Sequence, residues 1–96
     1  DFVRMRPDNS VLKGDLPKGV HARALVNEGK EYAVYVDGGD RVNLKLTLPK
    51  GTYMVRWIST RTGQIVKSEK LSHRGGTLAL KSPAYSADIA LSVKRR

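Results

Sequence analysis

Aromatic rings are the side chains in this sequence best suited to meeting a ligand. Sugars present apolar C–H faces that stack on such rings, and the chain carries Trp57, Tyr32, Tyr35, Tyr53 and Tyr85, with Phe2 near its start. Spacing divides them. Tyr53 and Trp57 alternate with Val55, the period of one strand face, which predicts that both rings pack in the core. Tyr35 and Tyr85 are less committed, Tyr85 because it follows Pro83-Ala84 in an expected loop. These two are the candidate carbohydrate contacts.

Acid–base chemistry finds poorer material. Hydrolysis by a carboxylate pair needs two acids facing each other across a cleft, yet Asp8, Glu28, Glu31, Asp37 and Asp40 all fall at expected turns or in the irregular first nineteen residues. His21 and His73 share no metal-ligand spacing with each other or with a carboxylate pair. Gly38-Gly39 and Gly75-Gly76 connect expected strands and do not open a helix, so neither makes a phosphate loop. With no cysteine in the chain, disulfides, thiolate zinc sites and a cysteine nucleophile are excluded. The sequence therefore predicts no catalytic residue, no metal ligand and no cofactor.

Charge is the other chemical signal. The chain has 18 Lys and Arg against 9 Asp and Glu, a formal net charge of +9. Residues 1–30 hold six basic and four acidic groups, residues 31–60 four and three, and residues 61–96 eight and two. The excess thus gathers in the last third, where Arg61, Lys67, Lys70 and Arg74 are the candidate anion contacts. Such a bias suits acidic polysaccharide, a membrane surface or nucleic acid. No aromatic residue is interleaved with the basic run, which argues against nucleic acid, and the competing reading is a solvated face. No apolar run reaches the roughly 18 residues that cross a bilayer.

The elements that must position these residues are strands. At 96 residues the chain has material for one core, and its apolar residues recur with period two. Seven strands are expected: residues 20–26, 32–36, 42–48, 53–58, 64–71, 77–80 and 89–93, separated by turns rich in Gly, Asn, Asp and Pro. Val42, Leu44, Leu46 and Leu48 carry the clearest alternation and must face the core. Tyr32-Ala33-Val34-Tyr35-Val36 is apolar on both faces, as in a strand covered on both sides or lying near a neighbouring domain. The fifth stretch, residues 64–71, is polar and expected to be exposed. The fold class predicted is all-β, a single antiparallel β-sandwich of about seven short strands over residues 20–96. Residues 1–19, with Pro7, Gly14, Pro17 and Gly19 and no sustained period, are expected to be a linker or the end of an upstream domain, with Asp1–Met5 as the last turn of a helix that Pro7 ends.

From Tyr32 onward the order of elements becomes recognisable. Tyr32-Ala33-Val34-Tyr35-Val36, a Gly-containing turn, the alternating strand, Gly51-Thr52-Tyr53, Trp57, Thr62-Gly63, Pro83 and Asp88-Ile89-Ala90-Leu91 together resemble the small C-terminal β-sandwich domain that follows the (β/α)8 barrel in a family of bacterial glycoside hydrolases. That domain type is labelled a collagen-binding domain of a collagenase, which is a name and not evidence of collagen binding. The resemblance covers most of residues 20–93, and Arg4-Met5-Arg6-Pro7-Asp8 resembles the join after the barrel. The family's Asp-Pro-Arg-Thr-Gly after its Trp stands here as Ser59-Thr60-Arg61-Thr62-Gly63, and its later Asp-Trp as Asp88-Ile89; the turn is kept and the second Trp is lost.

The resemblance implies a non-catalytic accessory domain of a secreted or periplasmic enzyme, packing on the upstream barrel, which would hold the acid and base, and touching polysaccharide. The alternative is a free-standing module that binds anionic glycans or an extracellular-matrix protein. A packing domain should show a flat apolar patch, and a glycan module an aromatic platform ringed by polar groups.

Overall fold

The computed structural model describes residues 5–96. Every stretch with period-two alternation is a strand, because only a pleated strand puts each second side chain on one face. In chain order the strands are β1 (Arg6–Pro7), β2 (Leu12–Lys13), β3 (His21–Asn27), β4 (Glu31–Asp37), β5 (Asn43–Leu48), β6 (Gly51–Ile58), β7 (Ile65–His73), β8 (Gly76–Lys81) and β9 (Asp88–Arg95). They form two antiparallel sheets, one of six strands in the order β1-β3-β4-β9-β6-β7 and one of three in the order β2-β5-β8. This is the β-sandwich expected. Among the described residues no helix is long and apolar enough to cross a membrane.

The core fills the space between the sheets. From the large sheet it receives Ala24, Val26, Tyr32, Val34, Val36, Tyr53, Val55, Trp57, Ile89, Leu91 and Val93, and from the small sheet Leu44, Leu46, Leu48 and Leu80. Tyr53, Val55 and Trp57 are each wholly buried, so their alternation does mark core positions. Each buried Leu or Val contributes about 1.5–3 kcal/mol relative to exposure. Strand β9, last in sequence, lies between β4 and β6, with Leu91 opposite both Val34 and Trp57.

Residues 6–13, expected to be part of a linker, add a strand to each sheet. Pro7 pairs with Leu25 on the edge of β3, and Lys13 pairs with Lys45 on the edge of β5. Between them the Ala24 amide donates to Asn9 Oδ1 at 2.8 Å and the Asp8 amide to the Ala24 carbonyl at 3.0 Å, so the segment satisfies the β3 edge and then crosses to the other layer. Asp8 caps the intervening 3-10 turn, Asn9–Val11, by accepting from the Ser10 amide. The bond from the Ser10 hydroxyl, and then that from its amide, hold the Asp8 carboxyl below the usual range. Strands of two residues leave no periodicity to read, which is why the sequence hides them. The helical turn expected over Asp1–Met5 lies, apart from Met5, outside the described residues.

The connection from β4 to β5 changes sheets at Gly38-Gly39. Gly38 has φ +95°, and a Cβ there would lie 2.0 Å from the Gly19 carbonyl oxygen, so only glycine allows the two backbones to pass.

Candidate functional site

Outside the core, the outer face of the six-stranded sheet departs most from what exposed strands usually carry. An antiparallel sheet with one face in water alternates apolar-in with polar-out. Here the register sets Arg23, Tyr35, Ala90 and Ile58 in one row across β3, β4, β9 and β6, and Leu25, Ala33, Ser92 and Arg56 in the next. The small residues Ala33, Ala90 and Ser92 make a floor, and Leu25, Tyr35 and Ile58 stand around it. With Met5 and Pro7 at the β1 edge they enclose an open groove of about 770 Å³. At one end Lys94 Nζ bridges Glu31 at 3.4 Å. This is the outward face of the β4 stretch whose two-sided apolar character the sequence displays.

The other end of the groove is polar and organised by Asp88. Its Oδ2 accepts from the Tyr35 hydroxyl and its Oδ1 from the Thr60 hydroxyl. The Thr60 and Tyr35 bonds, in that order, pull the Asp88 carboxyl below its ordinary range, with Arg61 adding to the effect, and the same carboxylate pushes the Tyr35 phenol upward. Tyr35 is therefore a pinned ring, 43% exposed, beside Arg23, Asp37 and His21. Sequence reasoning passed over Asp88 because its partners lie 28 and 53 positions away.

Tyr85 differs from expectation. It is half-buried, packs against the core, and donates to the Gly38 carbonyl at 2.6 Å, because the loop after Pro83 folds back over the β4–β5 connection. Burial, then Asp40 and Asp37, raises its phenol. The two tyrosines do not make a shared flat platform: one hydroxyl is tied to Asp88 and the other to the backbone at Gly38.

The four cations of the last third are also separated. Arg61 sits in the turn before β7 and Arg74 in the turn after it, about 30 Å apart at roughly 3.3 Å per strand residue. Lys67 lies opposite Trp57 and Lys70 opposite Met54, which puts them on opposite faces. His73 ends β7 half-buried, its Nε2 3.1 Å from the Gly76 carbonyl oxygen and its ring tilted against Tyr53 with centroids 6.4 Å apart. His21 is exposed. Among the described residues no three His, Asp or Glu side chains group as metal ligands.

With this geometry in view, the known proteins add a likeness of fold. One solved structure, titled "Glycoside hydrolase", matches 99% of this chain at 21% identity with a TM-score of 0.70. The chain spans only 22% of that protein's length. No protein-family model and no curated protein matches the sequence. The fold thus recurs as a minor part of a longer chain titled as a glycoside hydrolase.

Proposed function

We propose that this chain is a non-catalytic accessory β-sandwich of a bacterial glycoside hydrolase, secreted or periplasmic, that packs on the catalytic (β/α)8 barrel through the groove on its six-stranded sheet. The observation that carries this reading is the apolar floor of Ala33 and Ala90 with Leu25 and Ile58 beside it, on a sheet face that a solitary domain would cover with polar side chains. Two further facts support it. Met5 and Pro7 form the groove's edge, so a domain joined upstream would be tethered near it at high effective concentration. The fold also occurs as about a fifth of a longer chain titled as a glycoside hydrolase. In this arrangement Tyr35, pinned by Asp88 at the groove's end, is the ring placed to meet carbohydrate at the domain seam.

The test begins with the reading frame upstream of Asp1, which should encode a barrel carrying the catalytic carboxylates. In that longer protein Ala90→Arg should split one cooperative thermal unfolding transition into two, while leaving the fold of the sandwich intact. An upstream frame without a catalytic domain, or unchanged cooperativity in Ala90→Arg, would overturn the reading.

A further inference from the structure

The outer face of the small sheet carries a concentration of positive charge that neither the groove nor the accessory role explains. Lys13 on β2 stands directly opposite Lys45 on β5, and Asn43 on β5 opposite Lys81 on β8. All four side chains are exposed on the face away from the core. With Arg41, which precedes β5, the residues Asn43, Lys45 and Lys81 line an open depression of about 460 Å³, whose one acidic neighbour is Asp15. Among the described residues none of Lys13, Arg41, Lys45 and Lys81 is paired with a carboxylate.

Two lysines directly across a strand pair repel each other and weaken the sheet. The local structure nevertheless holds them together. Gly14 leaves space for the Lys45 stem, since a Cβ at that position would come within 3.3 Å of Lys45 Cδ. An anion laid across β2, β5 and β8 would neutralise this repulsion, and the Asn43 carboxamide beside Lys81 offers a neutral hydrogen-bonding group.

We propose that this face binds an acidic polysaccharide through carboxylates borne on its sugars, with Lys13, Arg41, Lys45 and Lys81 as the cationic contacts and Asn43 as a hydroxyl partner. No aromatic ring lines the depression, so it lacks the stacking platform with which proteins hold nucleic-acid strands. The choice of a polysaccharide among polyanions rests on the accessory-domain reading above; the site itself rests on the strand register.

The 96-residue chain is titrated with polygalacturonate, with neutral dextran and with duplex DNA at low and at physiological salt. Lys45→Gln with Lys81→Gln is compared with Lys67→Gln combined with Lys70→Gln, which removes the same charge from β7, and thermal unfolding confirms that both variants fold. Polygalacturonate should bind at low salt and weaken with salt. Its binding should fall about fivefold in the first variant, the scale two exposed charge contacts supply, and change less than twofold in the second. Equal losses in both variants, absence of polygalacturonate binding at low salt, or equal binding of dextran would overturn the site. DNA binding as tight as polygalacturonate, with the same response to the variants, would overturn the ligand class. A parent protein without glycosidase activity would instead sink the accessory-domain reading and leave the measured site standing.

Discussion

Tyr35 donates its phenolic hydrogen to Asp88, a residue 53 positions further along the chain, and so fixes an outward-facing ring of β4 to the first residue of β9. Thr60 occupies the other oxygen of the same carboxylate. One acid therefore joins β4, β9 and the turn after β6.

The first consequence is a pH dependence. A carboxyl whose folded value is depressed stabilises the fold fully above its unfolded value, about 3.9 for Asp, and loses that contribution as pH falls through the folded value. The Asp88 carboxyl is depressed by Thr60 and Tyr35. Asp88→Asn should thus be less stable than the parent at pH 7, with a gap that narrows below about pH 4. Asp8, depressed by Ser10, is common to both proteins and cancels. Urea midpoints at several pH values decide it; a gap of constant size down to acid would refute the assignment.

The core makes a second expectation quantitative. Leu44 and Leu46 are almost wholly buried while Lys45 between them is exposed. Leu44→Ala and Leu46→Ala should each cost about 2–5 kcal/mol, and Lys45→Ala far less. Similar costs at all three positions in urea unfolding would contradict the register of β5.

Backbone crowding at the sheet crossover gives a third. Gly63 has φ +74° with open space around it, whereas Gly38 combines φ +95° with the close Gly19 carbonyl. Gly63→Ala should cost about 1–2 kcal/mol for its left-handed conformation alone. Gly38→Ala should cost clearly more, and soluble yield with the unfolding midpoint reads the difference.

Tyr85 supplies a fourth. Removing its hydroxyl leaves the Gly38 carbonyl without that donor, so Tyr85→Phe should lose about 1 kcal/mol. If its ring served only to meet ligand from an exposed loop, Tyr85→Phe would leave the unfolding midpoint where it was.

The seven longer strands were legible because alternation is a local property: Val42 to Leu48 or Tyr53 to Trp57 announces its buried face without knowledge of any partner. The groove was half legible, since Ala33 and Tyr35 show an apolar outward face on β4, but its floor needs Ala90 and Ser92 from a strand more than fifty residues later. Lys13, Lys45 and Lys81 come together only through the β2-β5-β8 register, and counting charge along the chain pointed to β7 and its turns, where Lys67 and Lys70 face apart. Tyr85 looked like a loop ring because nothing in Pro83-Ala84-Tyr85 encodes the return of that loop to Gly38.

The place of β9 between β4 and β6 has a consequence for biosynthesis. The strand that joins the two halves of the large sheet is synthesised after the other described strands, so during translation β4 and β6 both present unpaired edges and an open seam at Val34 and Trp57 until it emerges. Native pairing there waits for β9 to emerge, and such non-local closure is slow. A nascent chain stalled before Asp88 would be an aggregation-prone species that chaperones must hold, and a truncation within β9 would be felt at the centre of the sandwich instead of at its rim.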